Sequence, residues 1–106
     1  MALAPGIHRG RPFGSQSFEP ESARAFGAVL RHHRTKQGVS QEALAHLASM
    51  ERAHIGRIER GENQPSLGIV LKLAHALGCD AGSLVKETEL LMKTPGSVGP
   101  ESIERK

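Results

Sequence analysis

The sequence predicts an all-α fold built from five short helices. Apolar residues recur at three- and four-residue spacing in five separate runs. The first four runs are bounded by Ser or Gly at positions that start or stop helices. No alternating run of β-branched residues competes as a strand. The 106 residues suffice for one domain. With three Phe and no Trp or Tyr, its core must be built from Leu, Ile, Val and Ala. So small a core gains from association with a second copy.

The elements follow in order. Residues 1–20 are rich in Gly, Pro, Ser and Arg without periodicity and read as a flexible basic arm. Arg9 and Arg11 give that arm the means to touch a phosphate backbone or a minor groove. Helix one runs from Glu21 or Ser22 to Gln37, with Phe26, Val29 and Leu30 on its apolar face and Gly38 as its stop. Helix two opens at the N-cap Ser40 and carries Leu44, Ala45, Leu47 and Ala48. Only Ser49-Met50-Glu51 separates it from helix three, Arg52 to Arg60. So short a link makes the two helices cross steeply, as in a helix-turn-helix. Gly61 ends helix three, and Ser66 caps helix four, on which Leu67, Val70, Leu71, Ala74 and Leu77 repeat at helical spacing up to Gly78. Helix five spans Ala81 to Met92; Leu84 and Val85 are expected in the core. Leu90, Leu91 and Met92 are then left to meet a second subunit, or to fold back on helix one. The ordered domain is expected to cover 21–93, with 94–106 a disordered tail.

Charge and composition narrow the function. The net charge is +3 and the pI about 9.5. Residues 22–39 carry Arg24, Arg31, Arg34 and Lys36 and no acid, so the positive charge lies in the first half. Cys79 is the single cysteine, which excludes an intrachain disulfide. It reads as a small buried hydrophobe, with a redox role through a mixed disulfide as the alternative. No run of apolar residues approaches the roughly 20 of a membrane span, and a cytoplasmic protein is expected. The six histidines have no metal-ligand spacing, and His33 reads as a half-buried packing residue. With no paired carboxylates, phosphate loop or nucleophile–base arrangement, neither an enzyme nor a cofactor is expected.

Helix three is the informative element. At about 100° per residue, Ile55 and Ile58 point together into the core. The far side carries Ala53, Gly56, Arg57 and Arg60, flanked by Arg52 and His54, with no acid to pair them. A merely solvated helix usually interleaves Glu with its cations. A helix that enters the major groove presents N-terminal side chains to base edges, and Arg is the commonest reader of guanine. Ala53 suits a thymine methyl, and the small Gly56 permits close approach. Ser40 and Gln41, at the positive end of helix two, and Asn63 and Gln64, in the loop after helix three, suit phosphate oxygens, as does Arg60.

Three stretches carry a resemblance: LRHHRTKQGVSQEALA (Leu30–Ala45), HIGRIERGENQPSL (His54–Leu67) and LKLAHALGC (Leu71–Cys79). Phe26 to Val85 resembles the Cro/Xre-type, phage-repressor-like helix-turn-helix family. The resemblance implies a lambda-repressor-like domain of five helices that binds double-stranded operator DNA, usually as a homodimer on a two-fold site. It puts the base-reading positions on Arg52, Ala53 and Arg57, with Gly56 beside them, and a phosphate contact on Gln41. It also implies a buried ion pair between Arg34 and Glu59. There are departures: His33 stands where the family often has Leu, Ser49 replaces a turn glycine, and Gly56 replaces a polar residue. Two functions are in view. One is a sequence-specific transcriptional regulator that blocks or recruits RNA polymerase. The other is a protein-interaction module on the same fold, such as the antitoxin of a toxin.

Overall fold

The computed structural model describes residues 19–94. The basic arm with Arg9 and Arg11, and the tail beyond Thr94, lie outside the described residues. Five helices follow one another: α1 (Pro20–Lys36), α2 (Gln41–Ala48), α3 (Arg52–Glu59), α4 (Leu67–Leu77) and α5 (Ala81–Met92). No strand occurs among the described residues. Helix α1 starts at Pro20, earlier than expected, because proline is pre-set for the first helical position and its missing N–H is not needed there.

The caps follow side-chain chemistry. Ser40 Oγ accepts from Ala43 N, Ser66 Oγ from Ile69 N, and Asp80 from Ser83 N. Helices α2 and α4 both end in a left-handed residue, with the next amide bonded five residues back. Met50 N donates to the Ala45 carbonyl at 2.8 Å, and Cys79 N to that of Ala74 at 2.9 Å. In α4 the left-handed residue is Gly78; in α2 it is Ser49, at φ 55° and ψ 48°.

Helix α1 is central: it packs on α5 and on α3, while α2 packs on α3 and α4. Its apolar surface is wider than the expected single face, because Ala23, Ala25, Gly27 and Ala28 are buried along with Phe26, Val29 and Leu30. At Gly27 α1 approaches the backbone of α3 closely: a Cβ there would overlap the Ile58 carbonyl and lie 2.7 Å from the Glu59 carbonyl oxygen. The core also contains Leu44, Ile55, Ile58, Leu73 and Leu84, all fully buried.

Two expectations about the outer helices are corrected. Val85 is 49% exposed and does not fill the core. Counting from Leu84, the inward positions of α5 are Glu87, Thr88 and Leu91, at i+3, i+4 and i+7, and Thr88 bonds its hydroxyl to the Leu84 carbonyl at 2.8 Å. Leu91 therefore packs against the core, whereas Leu90 is exposed and Met92 half-buried. Three consecutive residues cannot share one face of a helix, so Leu90, Leu91 and Met92 are not one patch. On α4 the inward set is Val70, Leu73, Ala74 and Leu77, which leaves Leu67 and Leu71 exposed.

Candidate nucleic-acid interface

The tight turn at Ser49 aims α3. Ile55 and Ile58 are fully buried behind the helix, while Arg52 and Ala53 at its N-terminus are exposed. His54 and Arg57 are half-buried on its flanks. The expected base-reading residues Arg52, Ala53 and Arg57 thus keep accessible surface on an element braced from the core side.

A polar chain runs from the core to this surface. Arg34 Nε donates to Glu59 Oε2 at 2.6 Å and Arg34 Nη2 to Glu59 Oε1 at 2.9 Å. A third N–H of Arg34 reaches the Val39 carbonyl at 2.8 Å, so the guanidinium ties α1 to α3 and to the loop before α2. The hydrogen bonds to Glu59 hold Arg34 above its usual range, against burial, which pulls it down. The Glu59 side chain is only 3% exposed. Gln41 Nε2 donates to Glu59 Oε1 at 3.0 Å. A carboxylate only accepts, so the amide must turn its nitrogen inward and its oxygen outward. That oxygen accepts from Arg52 Nη1 at 3.3 Å. Part of the donor capacity expected of Gln41 is therefore spent on Glu59, and its outward oxygen faces an arginine.

Gly56 is a correction. It is buried, with almost no accessible surface, and cannot meet a base edge. Its missing side chain makes room for Arg60 instead: a Cβ at Gly56 would lie 3.1 Å from Arg60 Nη1 and 3.8 Å from Gln41 Oε1. The expectation that the arginines of α3 have no acid is corrected as well. Glu62, just past the turn, accepts from Arg60 Nε at 2.8 Å and from Arg60 Nη2 at 3.1 Å. Helical spacing does not foretell this pairing, because it crosses Gly61, which lies past the end of α3.

The loop residues divide by their partners. Gln64 Oε1 accepts from Glu19 N at 3.3 Å and from the Ser22 hydroxyl at 3.1 Å, so this side chain fastens the loop to the start of α1. Asn63 is half-buried beside it, in an open cleft of about 500 Å³ shared with His54 and Ser66. The Ser40 oxygen accepts its cap bond from Ala43 N, which does not use the O–H that a phosphate oxygen would accept.

A second polar cluster lies behind this surface. His33 Nε2 is 2.8 Å from Glu87 Oε1, and His33 Nδ1 is 3.8 Å from Cys79 Sγ. His33 is half-buried between α1 and α5 and takes up the inward Glu87, which accounts for a histidine where the family often has Leu. The two partners sit on opposite nitrogens of one ring, so they do not converge on a common point. Among the described residues, no group of three His, Cys, Asp or Glu is placed to hold a metal ion. Burial, and then Glu87, push the Cys79 thiol up from its ordinary value. No single helix among the described residues is long and apolar enough to cross a membrane.

This arrangement can be set beside known proteins. A family profile described as a helix-turn-helix domain matches residues 25–87. An SPbeta prophage-derived uncharacterized HTH-type transcriptional regulator, YonR of Bacillus subtilis, is 35% identical over 63 residues, 59% of this chain and 58% of that protein. The chain thus spans less than two thirds of that relative. An uncharacterized HTH-type transcriptional regulator of Methanothermobacter thermautotrophicus is 38% identical over 50 residues, 47% of this chain and 72% of that protein. Among solved structures, the restriction-modification controller protein C.AhdI from Aeromonas hydrophila superposes with a TM-score of 0.57 at 44% identity, covering 58% of this chain and 94% of that one. The clp gene regulator ClgR from Corynebacterium glutamicum superposes with a TM-score of 0.67 at 29% identity, covering 72% and 99%. With residues 25–87 matched and α2 packed on α3 across the short turn at Ser49, the chain belongs to the helix-turn-helix domain family.

Proposed function

We propose that the protein is a sequence-specific DNA-binding transcriptional regulator, with α3 lying in the major groove as a recognition helix. One observation carries this reading: α3 exposes Arg52 and Ala53 at its N-terminus while Ile55 and Ile58 hold it rigidly from behind. Arg52 and Arg57 read bases, and Ala53 contacts a thymine methyl. The free amides at the start of α2, with one N–H of Gln41 and that of Asn63, position the phosphate backbone. The regulators among its relatives support the same role.

The regulator acts as a homodimer on a two-fold operator, with half-sites about one helical turn apart. It is a binding protein rather than an enzyme, and works in the compartment that holds the DNA. The test is a footprint on DNA selected by the purified protein, followed by titration of salt. Binding should weaken with a log–log slope of about −0.9 per phosphate neutralised. Arg57→Ala should lose discrimination between the selected site and random duplex by about tenfold or more, the loss of one good base contact. Unchanged discrimination removes Arg57 from the base-reading set.

A protein-interaction role on the same fold is the second reading. Leu67 is 70% exposed, and Leu71 shares its side of α4. Salt-insensitive association with a toxin or another unrelated protein, without DNA binding, would favour it.

A further inference from the structure

The end of α3 holds its arginine in an unusual way. The Arg60 guanidinium is folded back over Gly56 toward Gln41, on the same surface as Arg52. Its Nε and Nη2 are both taken by the Glu62 carboxylate, at 2.8 and 3.1 Å. The two side chains are 59% and 51% exposed, and a solvated ion pair of this kind adds little to stability. The geometry instead matches the fork that an arginine offers to a phosphate, two parallel N–H groups to two oxygens. Carboxylate and phosphate therefore compete for the same two donors. Glu62 is held in place from its own backbone, since its amide donates to the Arg57 carbonyl at 2.9 Å.

We propose that Glu62 is an intramolecular phosphate surrogate: it occupies the fork of Arg60 in the free protein, and a DNA phosphate must displace it. The proposal rests on the DNA-binding reading above. The hydrogen bonds from Arg60 hold the Glu62 carboxyl below its usual range, aided by the charges of Arg60 and Arg57, so Glu62 is an anion wherever the protein meets DNA. Arg60 and Glu62 together carry no net charge. Exchanging one partner for the other releases no net counterion from the duplex, so Arg60 is silent in the salt dependence while Glu62 is present. The surrogate lowers affinity for every duplex alike, because it acts on a phosphate contact and not on a base contact.

The experiment measures binding of the whole chain to a labelled mixed-sequence DNA duplex across a tenfold range of salt. It compares the parent with Glu62→Gln, Arg60→Gln and the double variant. Both residues are exposed, and matched thermal unfolding confirms that the fold is kept. Glu62→Gln should steepen the log–log salt slope by about 0.9, so that lowering salt tenfold raises its affinity about eightfold more than the parent's. The double variant should lose that gain. An unchanged slope in Glu62→Gln overturns the proposal. So does a gain that persists without Arg60, which would mark a general effect of removing an acid. If the parent itself does not bind duplex, the DNA-binding reading fails first and the surrogate falls with it.

Discussion

Ser49 stands in the left-handed region that glycine normally occupies, and it does so at the turn that leads into α3. A side chain there costs roughly 1–2 kcal/mol relative to its relaxed backbone. Ser49→Gly relieves that strain, and part of the gain is returned as extra freedom in the unfolded chain. The expected net effect is a stabilisation of about 0.5–1 kcal/mol, read as a higher urea midpoint at unchanged m-value. A lower midpoint would mean that the serine side chain contributes something its backbone geometry does not reveal. Cys79 makes a second residue-scale prediction. Its thiol is pushed up, chiefly by burial and then by Glu87, so at neutral pH it stays protonated. It should alkylate more slowly than a free thiol, and Glu87→Gln should speed it modestly. Fast alkylation at neutral pH would revive the redox alternative.

At the scale of elements, the fold turns on how closely α1 and α3 approach. Gly27 permits the contact, and the Arg34–Glu59 pair fastens it 25 residues apart in sequence. Gly27→Ala sets a methyl against the Ile58 and Glu59 carbonyls, which belong to backbone and cannot swing away. The helices must part, at a cost of about 1–3 kcal/mol, and α3 loses its seat. Thermal unfolding measures the first effect and the DNA affinity of the remaining folded protein the second. Glu59→Ala strands the Arg34 guanidinium, which is charged at every accessible pH, and should cost about 3 kcal/mol or more. It also releases Gln41, and with it the orientation of Arg52. Most of these elements were legible in the sequence, since Ser40 and Ser66 mark the starts of α2 and α4, and Gly38, Gly61 and Gly78 follow the ends of α1, α3 and α4. The inward faces were less legible. Leu67, Leu71 and Val85 have the composition of core residues, yet the neighbours of α4 and α5 cover a different arc of each helix.

For the whole molecule, the question is which surfaces are left for partners. Leu90 and Leu91 separate the two roles that the apolar end of α5 could play. Leu91 packs on the core, so Leu91→Ala should lower the stability of the domain by about 2 kcal/mol. Leu90 is 53% exposed, so Leu90→Glu should leave stability alone and weaken self-association, measured by sedimentation equilibrium. Unaltered association would move the proposed dimer surface to the opposite flank, where Val85 and Met92 lie seven residues apart.

Local chemistry alone was enough to determine five helices, their stops, the buried pair of isoleucines and the cationic character of α3. These depend on spacing of a few residues, which a linear sequence carries in full. The tertiary structure decided what that charge is bonded to. Gln41 turns its oxygen outward because a buried carboxylate from another helix takes its N–H. Arg60 meets Glu62 because Gly61 bends the chain back on itself and Gly56 leaves the space. Helical periodicity ends at a turn, and partners from separate helices meet only once the helices have packed.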